Sequence, residues 1–382
     1  MRVLLVTFSE CLPFALTQML NPALEYCAIV VDEPDISKKM FENFPQLCEK
    51  IFPFYELKEC IQNNYYEFVL CISDSRMIDA EFPDKLKSFG VNANNMVHIN
   101  SINTATDFML ETSLRYYQKN TEKFSIFTTG ISYTQSALLT DIFKFKLFNF
   151  GNGSQDLYYD YQIAKFILEV CRGGHIKYAL IGLAPYSFHY DLSKAFSINF
   201  RLFKYAVAFK DLHNFWLSSE RYLNIFRKEF PDIKLPVEKM SLNNFCSFSG
   251  GQIQTMDFKS RLNMRNMIDD WKDKNYPDSV KENVRILDDY LTLCEKNNVR
   301  PIMFIPQMTE ACKKYFNQKL LNEFYYLVRE AQKKHSSAIF FDGWKLQGFT
   351  DADFSDATHL NVQGGMKFSS ILNNFIESLE KG

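Results

Sequence analysis

The 382-residue chain has no long apolar run, no block of one charge and no paired-cysteine motif, and each absence removes a class of function. Nothing approaches the ~20 consecutive apolar residues of a membrane-spanning helix, so no integral membrane segment is expected. The first apolar run, Val3 to Val6, meets Ser9 and Glu10 too soon to serve as a secretory leader. Lys and Arg number 43 against 45 Asp and Glu, with the signs interspersed, which argues against nucleic acid or an anionic surface as a partner. The nine cysteines, among them Cys27 and Cys71 inside apolar runs, form no CxxC and no metal-ligand spacing with a histidine. They read as reduced thiols of a cytoplasmic protein, with no metal site expected.

A further absence concerns the first strand-to-helix loop, Thr7-Phe8-Ser9-Glu10-Cys11-Leu12-Pro13, which has no glycine. A dinucleotide needs a glycine-rich turn there to bring the backbone close to its pyrophosphate, so no organic cofactor is expected. The loop nevertheless sits in an alternating β/α pattern. Strand-like runs at Arg2 to Thr7, Tyr26 to Val31, Glu67 to Ser73 and Met96 to Ile99 alternate with helix-like segments at Leu12 to Leu20, Lys58 to Asn64 and Phe82 to Phe89. The pattern predicts a small Rossmann-like α/β domain over residues 1–120, closed by an amphipathic helix from Thr104 to Asn120. Its role is open: substrate recognition, sugar-nucleotide contact or dimerisation.

The alternation restarts over residues 121–382. Strands are expected at Lys123 to Thr128, Leu147 to Phe150, Tyr178 to Gly182, Arg300 to Pro306 and Ala338 to Asp342. Helices are expected at Tyr133 to Phe143, Asp156 to Val170, Ser279 to Asn297, Gln318 to His335 and Gly364 to Leu379. This order implies a parallel sheet covered on both faces, a three-layer α/β/α domain with its loops gathered at the carboxyl ends of the strands. Between about 193 and 278 the alternation lapses into apolar, helix-like stretches, Phe196 to Phe209 and Leu212 to Phe230, which read as an inserted helical cap or an oligomer interface. The 37 Phe and 20 Tyr fit an aromatic-rich core.

Three of the loops carry chemistry. Gly130-Ile131-Ser132 follows the first strand of this domain, Gly151-Asn152-Gly153-Ser154-Gln155 the second, and Asp356-Ala357-Thr358-His359 the last. If the chain turns helical near Asp356, residues i and i+3 share a face, and the carboxylate can hold one imidazole nitrogen while the other faces a nucleophile. The plainer alternatives are that Ser132 and Asp356 cap helices beginning at Tyr133 and Ala357. His189, after the Tyr178 to Gly182 strand, is a second histidine with a plausible place beside a pocket.

In the order and spacing of these blocks, residues 121–382 resemble the SGNH (GDSL-like) hydrolase superfamily, and most closely its members that modify cell-surface polysaccharide or teichoic acid. The resemblance implies Ser132 as nucleophile, with Ile131 in place of the family's aspartate, and His359 and Asp356 as base and orienting carboxylate. Ser154 falls where the family has an oxyanion-hole glycine. Gly182-Leu183-Ala184-Pro185 falls where it has Gly-x-Asn-Asp, so that Asn152 or Gln155 would have to replace the lost amide. The implied activity is that of a serine esterase or O-acyltransferase acting on an acyl ester of a carbohydrate or surface-polymer precursor. Two other classes stay open: a catalytically inactive carbohydrate-binding or scaffolding relative, and an enzyme using a nucleotide or sugar nucleotide through the N-terminal domain.

Overall fold

A computed structural model describes residues 1–73, 86–100, 109–171, 175–195, 198–227 and 274–381. The chain divides into two compact units, Met1–Thr112 with Leu192–Lys234, and Ser113–Asp191 with Leu235–Gly382. Each is built on a five-stranded, wholly parallel sheet.

In the first unit the strands are β1 (Arg2–Thr7), β2 (Glu25–Val31), β3 (Ile51–Pro53), β4 (Phe68–Ser73) and β5 (Met96–Asn100), in the order β3-β2-β1-β4-β5. That is the order of one half of a Rossmann sheet with one neighbouring strand pair. Helices α1 (Pro34–Met40) and α2 (Leu57–Asn63) belong to this unit. Its core joins Leu4, Val6, Ala28, Val30, Val69 and Cys71 of the strands to Leu57 and Cys60 of α2. Sequence periodicity had missed β3, which is three residues long, and α1, whose start is set by Pro34 in the first helical turn.

The partition differs from the expected one. The segment from Leu192 falls in the first unit, where Asn199–Leu202 lies against β5, Leu20 bridges to Phe226, and the Trp216 ring meets Phe68 at 6.0 Å. Its described part is therefore not a cap carried by the second domain. The remainder of the expected insertion, residues 228–273, lies outside the described residues, as does the first half of the expected helix at Phe82 to Phe89. Leu212 to Arg227 is also less helical than its apolar content suggests, with an α-helix only at Ser219–Leu223. Lys210, just before that stretch, and His213, within it, take left-handed backbone conformations (φ 56° and 54°), which interrupts helical propagation.

The second unit is a three-layer α/β/α fold. Its strands are β6 (Ile126–Gly130), β7 (Leu147–Asn149), β8 (Tyr178–Gly182), β9 (Arg300–Ile305) and β10 (Ile339–Asp342), in the order β10-β9-β8-β6-β7. Renumbered from β6, this is the flavodoxin-like order 2-1-3-4-5, with its switch point between β6 and β8. The helices are α3 (Ser132–Ala137), α4 (Leu157–Lys165), α5 (Pro277–Lys296), α6 (Gln318–Lys334) and α7 (Val362–Leu379). Helices α4 and α5 pack on each other and on β6 and β9, and α7 packs on α3. On α7, Phe368, Leu372 and Ile376 recur at i, i+4 and i+8, all fully buried against Leu180, Ile302 and Phe304 of the sheet. Each such side chain contributes roughly 1.5–3 kcal/mol by leaving water. That stripe anchors α7 and, through it, the loop that precedes it.

Candidate active site

The site begins with two glycines at the switch point. Gly130 ends β6 and is paired in register with Gly182, which ends β8. Gly130 has φ +140°, a conformation L side chains rarely adopt, and a Cβ on it would run into the Thr134 hydroxyl and the Gly182 carbonyl. A Cβ on Gly182 would strike the same threonine. With neither side chain present, α3 starts at once beyond the strand end. Ser132 is its first residue, while the N-cap position falls to Ile131, which makes no side-chain cap. Ser132 is thus not a cap, and its hydroxyl is directed to His359.

His359 lies in the loop after β10. Phe354 and Leu360 form an antiparallel bridge, and Ser355 N–H donates to the His359 carbonyl at 2.8 Å, closing a tight turn over 355–359. At its exit Asn361 caps α7 by accepting from Gly364 N–H at 3.0 Å. Thr309, after β9, ties the turn down with its hydroxyl on the Ala357 carbonyl at 2.9 Å. Within the turn, Asp356 Oδ1 accepts from the backbone N–H groups of Thr358 and His359, each at 2.8 Å. The spacing of Asp356 and His359 works through this Asx turn, and the helix that sequence reasoning placed at Ala357 starts only at Val362.

The three side chains meet. His359 Nε2 is 2.8 Å from Ser132 Oγ, and His359 Nδ1 is 2.7 Å from Asp356 Oδ2. With a carboxylate facing Nδ1, the hydrogen-bond network assigns the imidazole proton to that nitrogen and leaves the Nε2 lone pair for the serine hydroxyl. Burial alone would raise the Asp356 carboxyl. Hydrogen bonding to the imidazole, its charge and the two backbone donors outweigh that effect and bring the pKa down to about 2. The Asp356 side chain is 53% exposed and that of His359 19%, so the dyad borders solvent. The Tyr133 ring lies on the imidazole with centroids 4.9 Å apart, and its hydroxyl is 2.8 Å from that of Tyr186. Burial pushes both phenols up, Tyr186 to about 12, so the pair is neutral at pH 7.

The candidate oxyanion residues fare differently from one another. Ser154 has φ +59°, a turn position that suits the glycine of the resembling family, and its carbonyl accepts from the Tyr190 hydroxyl at 2.9 Å. The Asn152 N–H donates to the Gly130 carbonyl at 2.9 Å. Gln155 is buried, and its amide nitrogen donates to Asp160 Oδ1 at 2.7 Å and to the Phe150 carbonyl at 3.1 Å. Its amide is engaged inside the loop, which corrects the expectation that it stands in for the lost asparagine. Ala184 in the third loop is fully buried, with its N–H on the Ser187 hydroxyl at 2.8 Å.

His189 receives the Tyr276 N–H on Nδ1 at 3.1 Å and faces Glu323 with Nε2 at 2.8 Å, so both ring nitrogens serve packing. Sequence reasoning missed Asn283, whose buried amide donates to the Phe188 and Tyr190 carbonyls, each at 3.0 Å, and holds the loop after β8. It also missed Asp160. The signal was present: an acid on the apolar stripe Leu157, Asp160, Ile163 and Ala164 of α4.

No family model and no curated protein matches the chain. Among solved structures, one described as "a putative platelet activating factor from Streptococcus pneumonia" is similar at 10% identity over 71% of this chain and 92% of its own, with a TM-score of 0.39. That likeness is too slight to speak to the site.

Proposed function

We propose that the second unit is an SGNH-like serine esterase or O-acyltransferase acting on an acyl ester of a carbohydrate or surface-polymer precursor. The observation that carries the reading is the position of His359, within hydrogen-bond reach of Ser132 on one side and Asp356 on the other, at the carboxyl edge of the sheet. In the first half-reaction Ser132 Oγ attacks the ester carbonyl and its proton passes to His359 Nε2. The imidazolium is stabilised by the Asp356 carboxylate. The backbone N–H of Ser132, at the first position of α3, has no intrahelical acceptor, and with that of Ser154 it is the donor assigned to the oxyanion. The tetrahedral intermediate then expels the alcohol, which takes the proton from His359 and leaves an acyl-Ser132. In the second half water or a sugar hydroxyl attacks that ester, giving its proton to His359, and Ser132 is released with the proton returned.

Losing one oxyanion donor costs ~10²–10³-fold in rate, so a slow enzyme is expected with Ala184 in the third loop. The same residue favours the second reading, a carbohydrate-binding or scaffolding protein that keeps the triad without turnover. Labelling by a fluorophosphonate and hydrolysis of p-nitrophenyl acetate separate the two. The proposal expects both in the wild type and a loss of roughly 10⁴-fold or more in Ser132→Ala. A wild type that neither labels nor turns over leaves only the scaffold.

A further inference from the structure

We infer that Asp160 is a positioning residue for Ser132, fixing the strand-to-helix turn that carries the nucleophile through the Gly130 peptide and the Gln155 amide; this rests on the esterase reading. Asp160 is 2% exposed, in the middle of α4. Its carboxyl group accepts from Gln155 Nε2 at 2.7 Å. The Gly130 carbonyl in turn accepts from Asn152 N–H at 2.9 Å and from the same Gln155 Nε2 at 3.4 Å. The Gly130 carbonyl is therefore held by the loop after β7, and α4 fixes that loop through the Asp160 contact with Gln155.

The clamp falls where the backbone most needs it. Without a side chain Gly130 has access to a wide range of conformations, and its φ of +140° is set by what surrounds it. Ser132 follows two residues later, and a small rotation at Gly130 would displace its hydroxyl from His359 Nε2. Asp160 contacts no reacting atom in this scheme, so its loss should lower kcat and leave KM in place. Burial holds the Asp160 carboxyl well above the ordinary carboxylate range. A neutral acid of this kind is mimicked by an amide, which retains an acceptor for Gln155.

The test compares Asp160→Asn and Asp160→Leu with the wild type, using p-nitrophenyl acetate kinetics and the rate of fluorophosphonate labelling, with circular dichroism to establish folding. Asp160→Leu should lose roughly 10–10²-fold in kcat, the size of effect of an ångström-scale misplacement, with KM and circular dichroism unchanged. Asp160→Asn should recover most of that loss. A folded Leu variant with wild-type kcat, or an Asn variant as impaired as the Leu one, overturns the inference and leaves the esterase reading standing. A wild type inert to both reagents removes the reading and the inference together. If Asp160→Leu does not fold, Gln155→Met breaks the same connection from its other end. It should show the same selective loss of kcat, and a wild-type kcat in that variant overturns the inference.

Discussion

At the end of β4, Ser73 Oγ lies 2.8 Å from His98 Nε2; at the end of β6, Ser132 Oγ lies 2.8 Å from His359 Nε2. By distance the two serine–histidine pairs are the same, and each stands at the carboxyl end of a parallel sheet. Their settings differ in every other respect. Ser73 and His98 are side chains of adjacent strands, 1% and 4% exposed, with the Phe200 ring edge-on to the imidazole at 5.2 Å. Ser132 starts a helix, His359 stands in a turn that borders solvent, and an Asp356 carboxylate faces its second nitrogen. A hydrogen bond between a hydroxyl and an imidazole is common in cores. Reactivity needs an oriented tautomer and a surface that a substrate can reach.

The most direct way to break this comparison is to remove each histidine in turn. His359→Ala is expected to lower p-nitrophenyl acetate turnover by roughly 10³–10⁴-fold or more, while His98→Leu leaves kcat unchanged. Comparable losses from the two would mean that the first unit takes part in the reaction. The next effect in size belongs to the carboxylate. Asp356→Asn keeps the shape of the turn but removes the charge that holds the imidazole proton on Nδ1, so kcat should fall by roughly 10²–10⁴-fold with KM little altered. Wild-type turnover in that variant would reduce the second site to the status of the first.

Every strand but β3 and the long helices of the second unit were legible because buried parallel strands leave unbroken apolar runs such as Phe68 to Ser73, and α5, α6 and α7 keep a helical period over many turns. The triad was legible as residues but not as geometry. Asp356 and His359 suggested a shared helical face, whereas an Asx turn brings them together. Ser132 suggested a cap, whereas the facing glycines Gly130 and Gly182 allow the helix to start one residue earlier. What could not be read was anything decided by distant chain. The return of the segment from Leu192 to the first unit depends on contacts such as Leu20 with Phe226, about two hundred positions apart, and no local pattern records them. The engagement of Gln155 by Asp160 is short in sequence, yet it depends on which face of α4 the sheet covers.

The same two settings should separate in stability. The hydroxyl of Ser73 loses a buried partner in His98→Leu, and a cost of about 1–3 kcal/mol is expected for a polar group left unsatisfied, read as a lower Tm. His359→Ala, at the solvent border, should shift Tm much less. If the Tm losses were equal, the buried and bordering pairs would not differ as described.

The smallest effect is a pH dependence, and it contrasts two acids of the second unit. Asp356 has a folded pKa of about 2, below its unfolded value, so its contribution to stability is present above the unfolded pKa and is lost as pH falls toward 2. With its side chain half exposed, solvent screens that contribution and it is small. Asp160 has the opposite sign. Its folded pKa is raised, so the stability linked to its proton is present below the unfolded pKa of ~3.9 and is lost as pH rises toward the folded value, at no more than about 1.4 kcal/mol per pH unit. Asp160→Asn cannot release that proton. Thermal unfolding between pH 4 and pH 7 should therefore show the Tm of Asp160→Asn gaining on the wild type as pH rises. For Asp356→Asn the deficit should be full from about pH 5 upward and close toward pH 2. A Tm difference for Asp160→Asn that stays flat across the range would mean that Asp160 ionises normally, and that a buried carboxylate rather than a neutral acid supports the Gly130 turn.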